Sequence, residues 1–311
     1  MRVGIIDCGT NTFNYLLADA KEGSKPMVFK SGKFVVKLGE HGFPNGNIHP
    51  DALERAYDAL NNFRHICLSE SVRNLYGCAT SAFRTAGNAS LLVDYCKNAL
   101  QFPLDIISGT REAELIHHGV FASGVLPAYP TLILDIGGGS NELIISSGEQ
   151  IHWRGSYPVG MARMMSLIKP SDPIKQEEIA IVNNLLDEHM REVASMCKSY
   201  GVNHLIGASG SFDTLAEMIL LRKNITENKL VSRGYDFDMH DFVAVENDII
   251  SSSYPERLSM PGMMPLRAEM MVLAVLTIRW VLNTCKVSRL SMSGFSLKEG
   301  FLYERFSLKP Q

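Results

Sequence analysis

Two stretches of this chain, half a chain length apart, carry the same pattern, and that repetition limits the fold more than any other feature. Ile5-Ile6-Asp7-Cys8-Gly9-Thr10-Asn11 and Ile133-Leu134-Asp135-Ile136-Gly137-Gly138-Gly139 are each an apolar strand that ends on an aspartate and breaks at glycine. A second apolar strand follows in both, at 13–18 and at 143–146. The period is far too long for a solenoid, so the pattern points to a duplicated domain with two facing copies.

Strands and helices alternate along both halves, which places the chain in the α/β class. Residues 3–7, 13–18 and 27–38 read as strands joined by short turns, an antiparallel meander. Helices are expected over 50–68, with Pro50 in its first turn, and over 89–100. Another follows Ser108-Gly109-Thr110, with Thr110 as its cap and Glu112 and Glu114 in its first turn. The second half adds a long helix over 176–200, a strand at 204–208 and a Met-rich helix over 266–282. A strand at 289–292 and a helix over 297–306 close the chain.

Composition removes several function classes. A formal net charge of −3 leaves no basic excess to neutralise a nucleic-acid polymer, although a few cations in one cleft suffice for a small polyanion. The 6 cysteines form no C-x-x-C pair and sit in apolar runs, as reduced core cysteines do. The N-terminus leads straight into a core strand with no signal pattern, and no apolar run spans a membrane, so a cytoplasmic protein is the default expectation. There is no His-Glu-x-x-His motif, and the adjacent His117 and His118 point to different helix faces. The methionines between Met260 and Met271 read as packing, and Lys30, Lys33 and Lys37 as a solvated strand edge.

Three Gly-rich turns stand out: Gly9-Thr10-Asn11, Gly137-Gly138-Gly139-Ser140, and Gly207-Ala208-Ser209-Gly210-Ser211. Glycine lets backbone N–H groups approach phosphate oxygens, and the third turn opens a helix whose N-terminus favours an anion. One such turn is more often structural; three in one chain, two of them preceded by Asp, favour phosphate. Asp7 and Asp135 close their strands where a carboxylate can hold hydrated Mg²⁺, and Glu142 alternates toward the same loop face as Asp135. Glu112 reads either as a complement to the helix dipole or as a general base, and Arg84 either as a solvated arginine or as a phosphate clamp.

The motifs Asp7-Cys8-Gly9-Thr10-Asn11-Thr12, Thr80 to Arg84, Ser108-Gly109-Thr110-Arg111-Glu112-Ala113 and Asp135 to Glu142 share one resemblance, with Gly207-Ala208-Ser209-Gly210, Arg267-Ala268 and Glu299-Gly300. Together they resemble the exopolyphosphatase and guanosine pentaphosphate phosphohydrolase family, within the actin, heat-shock ATPase and sugar-kinase superfamily. The resemblance implies a duplicated actin-like (ribonuclease H-like) fold, with two lobes and an interdomain cleft that closes on substrate. The first lobe would span 1–123 with the C-terminal helix 296–311, the second 124–295. It further implies release of orthophosphate from polyphosphate or guanosine pentaphosphate, with Glu112 activating water. Asp135 and Glu142 would be placed near Mg²⁺, with Asp7 a further metal candidate and K⁺ a second candidate ion. Arg84 would touch phosphate, as would Gly9, Thr10, Asn11, Gly137, Gly138, Gly139, Ser140, Gly207, Ser209 and Gly210. A homodimer is consistent with it, as is the short two-domain form, in which short polyphosphates compete well with long ones.

Arg111 departs from the family pattern by replacing the first of two adjacent glutamates. Met292-Ser293-Gly294-Phe295 and Lys298 depart from it near the C-terminus. The alternatives are a small-molecule kinase of the same superfamily and a nucleotide sensor that binds without turnover.

Overall fold

A computed structural model describes residues 1–40, 46–225 and 234–307. The chain divides into two compact units, Met1–Ala122 joined by the C-terminal segment from Leu297, and Ser123–Ser296.

The first unit is built on five strands: β1 Arg2–Cys8, β2 Thr12–Asp19, β3 Met27–Val35, β4 Asn74–Ala79 and β5 Leu104–Ile106. Their order is β3-β2-β1-β4-β5, antiparallel from β3 to β1 and parallel beyond it. Both faces of β1 are covered, which explains why it reads as one apolar run rather than an alternation. On one face Ile6, Cys8, Phe13 and Tyr15 meet Ala56, Leu60 and Phe63 of helix α1 (Pro50–Ser69). On the other, Val3, Ile5, Leu16 and Ala18 meet Leu302 and Phe306 of the last helix, Leu297–Phe306. Between them in sequence lie α2 Ser81–Thr85, α3 Ser90–Asn98 and α4 Gly109–Ser123.

Two local expectations change. β3 stops at Val35, because the N–H groups of Val36 and Lys37 turn to donate to Asn11 O, and that of Leu38 donates to Thr10 O. The cap of α4 is Ser108 rather than Thr110: Ser108 Oγ accepts from Arg111 N at 3.1 Å, while Thr110 lies within the helix.

The second unit repeats the plan. β6 Thr131–Ile136, β7 Asn141–Ser147 and β8 Gln150–Tyr157 form the antiparallel part, followed in the sheet by the parallel strands β9 His204–Gly207 and β11 Arg289–Ser293. β10 Gly234–Phe237 adds an antiparallel edge, giving the order β10-β11-β9-β6-β7-β8. The helices are α5 Met161–Ile168, α6 Gln176–Tyr200, α7 Gly210–Arg222, α8 Met239–Ser251, α9 Tyr254–Ser259 and α10 Met271–Cys285; Leu297–Phe306 is α11. α10 starts later than its Met-rich sequence suggests, because Arg267 and Met270 close turns onto Met264 and Arg267. It is buried nearly all round, as its continuous apolar sequence requires. No helix among the described residues is long and apolar enough to cross a membrane.

α11 packs closely on α4 at Gly300. A methyl group at Gly300 would overlap Leu115 O and lie 2.7 Å from Gly119 N, both backbone atoms that cannot swing away. Gly300→Ala is therefore expected to destabilise the protein by about 1–3 kcal/mol, the usual cost of overpacking. A lowered urea midpoint at unchanged m-value measures it; an unchanged midpoint contradicts the packing described.

Candidate active site

The two Asp-Gly turns have the same internal geometry. Gly9 N donates to Thr12 O at 3.1 Å, and Gly137 N to Ser140 O at 3.0 Å. Thr12 and Ser140 therefore correspond, and the strand registers extend the match: Asp7 lies opposite Asn14, and Asp135 opposite Glu142. Residues directly opposite in an antiparallel pair share a face, so Asp135 and Glu142 present their carboxylates side by side. The first turn offers only an amide there, with Asn14 Nδ2 at 3.5 Å from Asp7 Oδ2. The two halves thus share a backbone but not a charge.

The carbonyls of both turns are occupied. In the first, Thr10 O and Asn11 O accept from the chain leaving β3. In the second, Gly137 O accepts from Met161 N, and Gly138 O from Ala162 N and Arg163 N in the first turn of α5. Arg163 Nε adds a bond to Gly139 O at 3.2 Å. Gly160 allows this approach, since a methyl there would lie 2.5 Å from Ser140 N and 2.6 Å from Gly138 C.

Glu142 is buried, and its Oε1 accepts from Ser140 Oγ and Ser156 Oγ, both at 2.7 Å. Asp135 Oδ2 accepts from Ser296 Oγ at 2.6 Å. The third turn lies alongside: Ala208 N donates to Leu134 O, and the Phe212 ring fills the space beside Gly207. The Arg267 guanidinium covers Gly210 where a methyl would sit. Burial pulls the pKa of Arg267 below the usual arginine value, against the opposing charges of Asp213 and Asp135.

In the first unit Arg84 and Glu112 meet. Arg84 Nη1 donates to Glu112 Oε2 at 2.7 Å and to Ile107 O at 3.0 Å. Glu112 is 8% exposed and sits in the first turn of α4. Cys8 and Cys78, next to Asp7, have thiols pushed well up by burial, with the Asp7 charge adding to it, so neither supplies a thiolate.

Two hydroxyls in these turns lack partners. Thr10 Oγ1 and Ser209 Oγ are buried with no hydrogen bond to any described residue. Buried polar atoms are nearly always paired, so these two are exceptions. The residues gathered in the first unit are Asp7, Gly9, Thr10, Asn11, Arg84 and Glu112. In the second they are Asp135, Gly137 to Ser140, Glu142, Gly207, Ser209 and Gly210. Sequence reasoning passed over Ser156, Gly160, Arg163 and Ser296 and gave Arg267 no role. Ser156 lies on β8, Arg163 on α5 and Gly160 just before α5, elements the sequence pattern does not announce. Asp238, His240 and Asp241 form a further acidic cluster in the second unit, where Asp238 caps α8 by accepting from the N–H groups of His240 and Asp241.

Fold and turns together describe a phosphate-handling protein of the duplicated actin-like type. Residues 16–308 match the model of the Ppx/GppA phosphatase family, and the chain belongs to that family. It is similar to a crystal structure of an exopolyphosphatase from Cytophaga hutchinsonii ATCC 33406, at 34% identity and TM-score 0.93, with 98% of each chain covered. It is 24% identical over 306 residues to exopolyphosphatase 1 of Mycobacterium leprae, covering 98% of this chain and 89% of that protein. The Aquifex aeolicus PPX-GPPA enzyme shares the fold, at 21% identity and TM-score 0.79, covering 97% of this chain and 98% of that one.

If the orphaned hydroxyls serve a ligand rather than the fold, removing them relieves the unliganded protein. Thr10→Val and Ser209→Ala are each expected to leave stability unchanged or raise it by about 1 kcal/mol, while weakening binding of tripolyphosphate. Urea unfolding and calorimetric titration measure the two effects. Lost stability with unaltered binding would assign both hydroxyls to the fold.

Proposed function

We propose that this chain is an exopolyphosphatase, hydrolysing the terminal phosphoanhydride bond of polyphosphate with release of orthophosphate, and that it also accepts guanosine pentaphosphate. The observation that carries the reading is the orphaned hydroxyl of Thr10 at the first Gly-rich turn, with that of Ser209 at the third. The names of the similar proteins support the substrate class.

Glu112 takes the proton of the attacking water, and Arg84 neutralises the phosphoryl group as the bond to the leaving phosphate breaks. These roles conflict while the two side chains are paired, because a carboxylate held by a guanidinium is a weak base and the guanidinium is already engaged. Incoming phosphate resolves the conflict by competing for Arg84, which releases Glu112 next to the water. The base is therefore freed only when substrate is present.

Asp135 and Glu142 fit a hard divalent cation. They offer carboxylate oxygens on one face, with the Ser140 hydroxyl adjacent, the donor set Mg²⁺ prefers. When bound there, Mg²⁺ supplies charge neutralisation for the phosphoryl oxygens. Ser156 and Ser296 keep the two carboxylates oriented.

The test is phosphate release by the purified chain from polyphosphate, guanosine pentaphosphate and ATP side by side, with no acceptor present. Glu112→Gln is expected to lower the rate by about 100- to 10,000-fold, the usual contribution of a general base. It should also bind pyrophosphate about tenfold more tightly, the size of one charge-assisted hydrogen bond no longer competing for Arg84. Full activity in that variant removes Glu112 from the mechanism, and unchanged pyrophosphate affinity removes the competition.

A further inference from the structure

Arg111 stands where a cation is least welcome, in the first turn of α4, whose dipole favours negative charge. Its guanidinium is nonetheless held by two carboxylates. Nη1 donates to Glu304 Oε2 at 2.7 Å and Nη2 to Glu304 Oε1, a parallel fork, and Nη1 also reaches Glu114 Oε2 at 3.2 Å. Glu304 belongs to α11, and its Oε2 lies 3.2 Å from His118 Nδ1, two turns along the same face of α4.

The same face carries the closest backbone approach in this unit, Gly300 against Leu115 and Gly119. Just beyond it Tyr303 packs edge-on to Phe121, at 5.9 Å between ring centres. The charges agree with the geometry. Hydrogen bonding to Glu304 raises the Arg111 pKa. Burial pushes the Glu304 carboxyl up, but Arg111 and His118 outweigh it and hold it below the usual carboxylate range.

Glu112 is the next residue, about 100° around the helix from Arg111. Its carboxylate meets Arg84 of α2, so the rotation of α4 about its own axis decides where that carboxylate points. A rotation of about 10° moves a side-chain tip about 6 Å from the axis by about 1 Å. A displacement of that size at a reacting group costs on the order of 100-fold in rate.

We infer that Arg111 is a positioning residue for the reaction assigned to Glu112, acting through its fork to Glu304 to fix the rotation of α4. The inference rests on the hydrolase reading above.

The test is steady-state phosphate release from polyphosphate by the full chain. Arg111→Ala and Glu304→Gln are each expected to lower kcat about 10- to 100-fold while KM stays within about twofold, the signature of a misplaced group rather than lost binding. Arg111→Lys keeps the charge without the fork, and its kcat should fall between those of wild type and Arg111→Ala. Should Arg111→Ala fail to fold, Glu304→Gln carries the test, since it removes one charge at nearly constant volume. Wild-type kcat in Glu304→Gln, or a raised KM at unchanged kcat, overturns the role of Arg111. Glu112→Gln in the same assay judges the base separately: its loss of activity beside fully active Arg111 and Glu304 variants would sink the positioning role alone. Absence of phosphate release from the wild-type protein would sink both.

Discussion

Everything at the candidate site depends on where the carbonyl groups of the Asp-Gly turns point. A tight turn exposes oxygens as readily as N–H groups, and oxygens repel a phosphate. Here they are consumed: Thr10 O and Asn11 O by the chain leaving β3, Gly137 O, Gly138 O and Gly139 O by α5 and Arg163. Glycine at 160 is what lets α5 come close enough to do this. The turn motif and the segment that follows the third strand of each meander are thus one device.

The legible part of this architecture was the part written in local pattern. β1, β2, β6 and β7 are apolar runs stopped by Asp and Gly, and the duplication shows as the same run twice. α6 and α11 show their ends through helical periodicity and flanking breakers, such as Gly201 in the left-handed region at φ 64. β8 was illegible because Gln150, His152, Arg154 and Ser156 interrupt its apolar residues along a half-exposed edge. α5 was missed because its eight residues follow Pro158-Val159-Gly160 with no side-chain cap to announce them.

The candidate site divides along the same line. That Asp135 and Glu142 share a face follows from strand alternation, which a sequence displays. The contact of Arg84 with Glu112 joins residues 28 positions apart across α3, β5 and the loops between them, and no periodicity reports it. The same holds for Ser156 on Glu142, Ser296 on Asp135 and Glu304 on Arg111. Each is a product of register or helix packing, settled only when the strands have paired.

These contacts also show how the unliganded chain balances its charges. Glu112 is matched by Arg84, and Asp135 has the charge of Arg267 nearby, itself shared with Asp213. In the proposed reaction, a phosphate that takes Arg84 leaves the Glu112 carboxylate without its counter-charge. The proton that Glu112 would then take from water restores the neutrality that the phosphate disturbs, so base and clamp would act as one electrostatic unit.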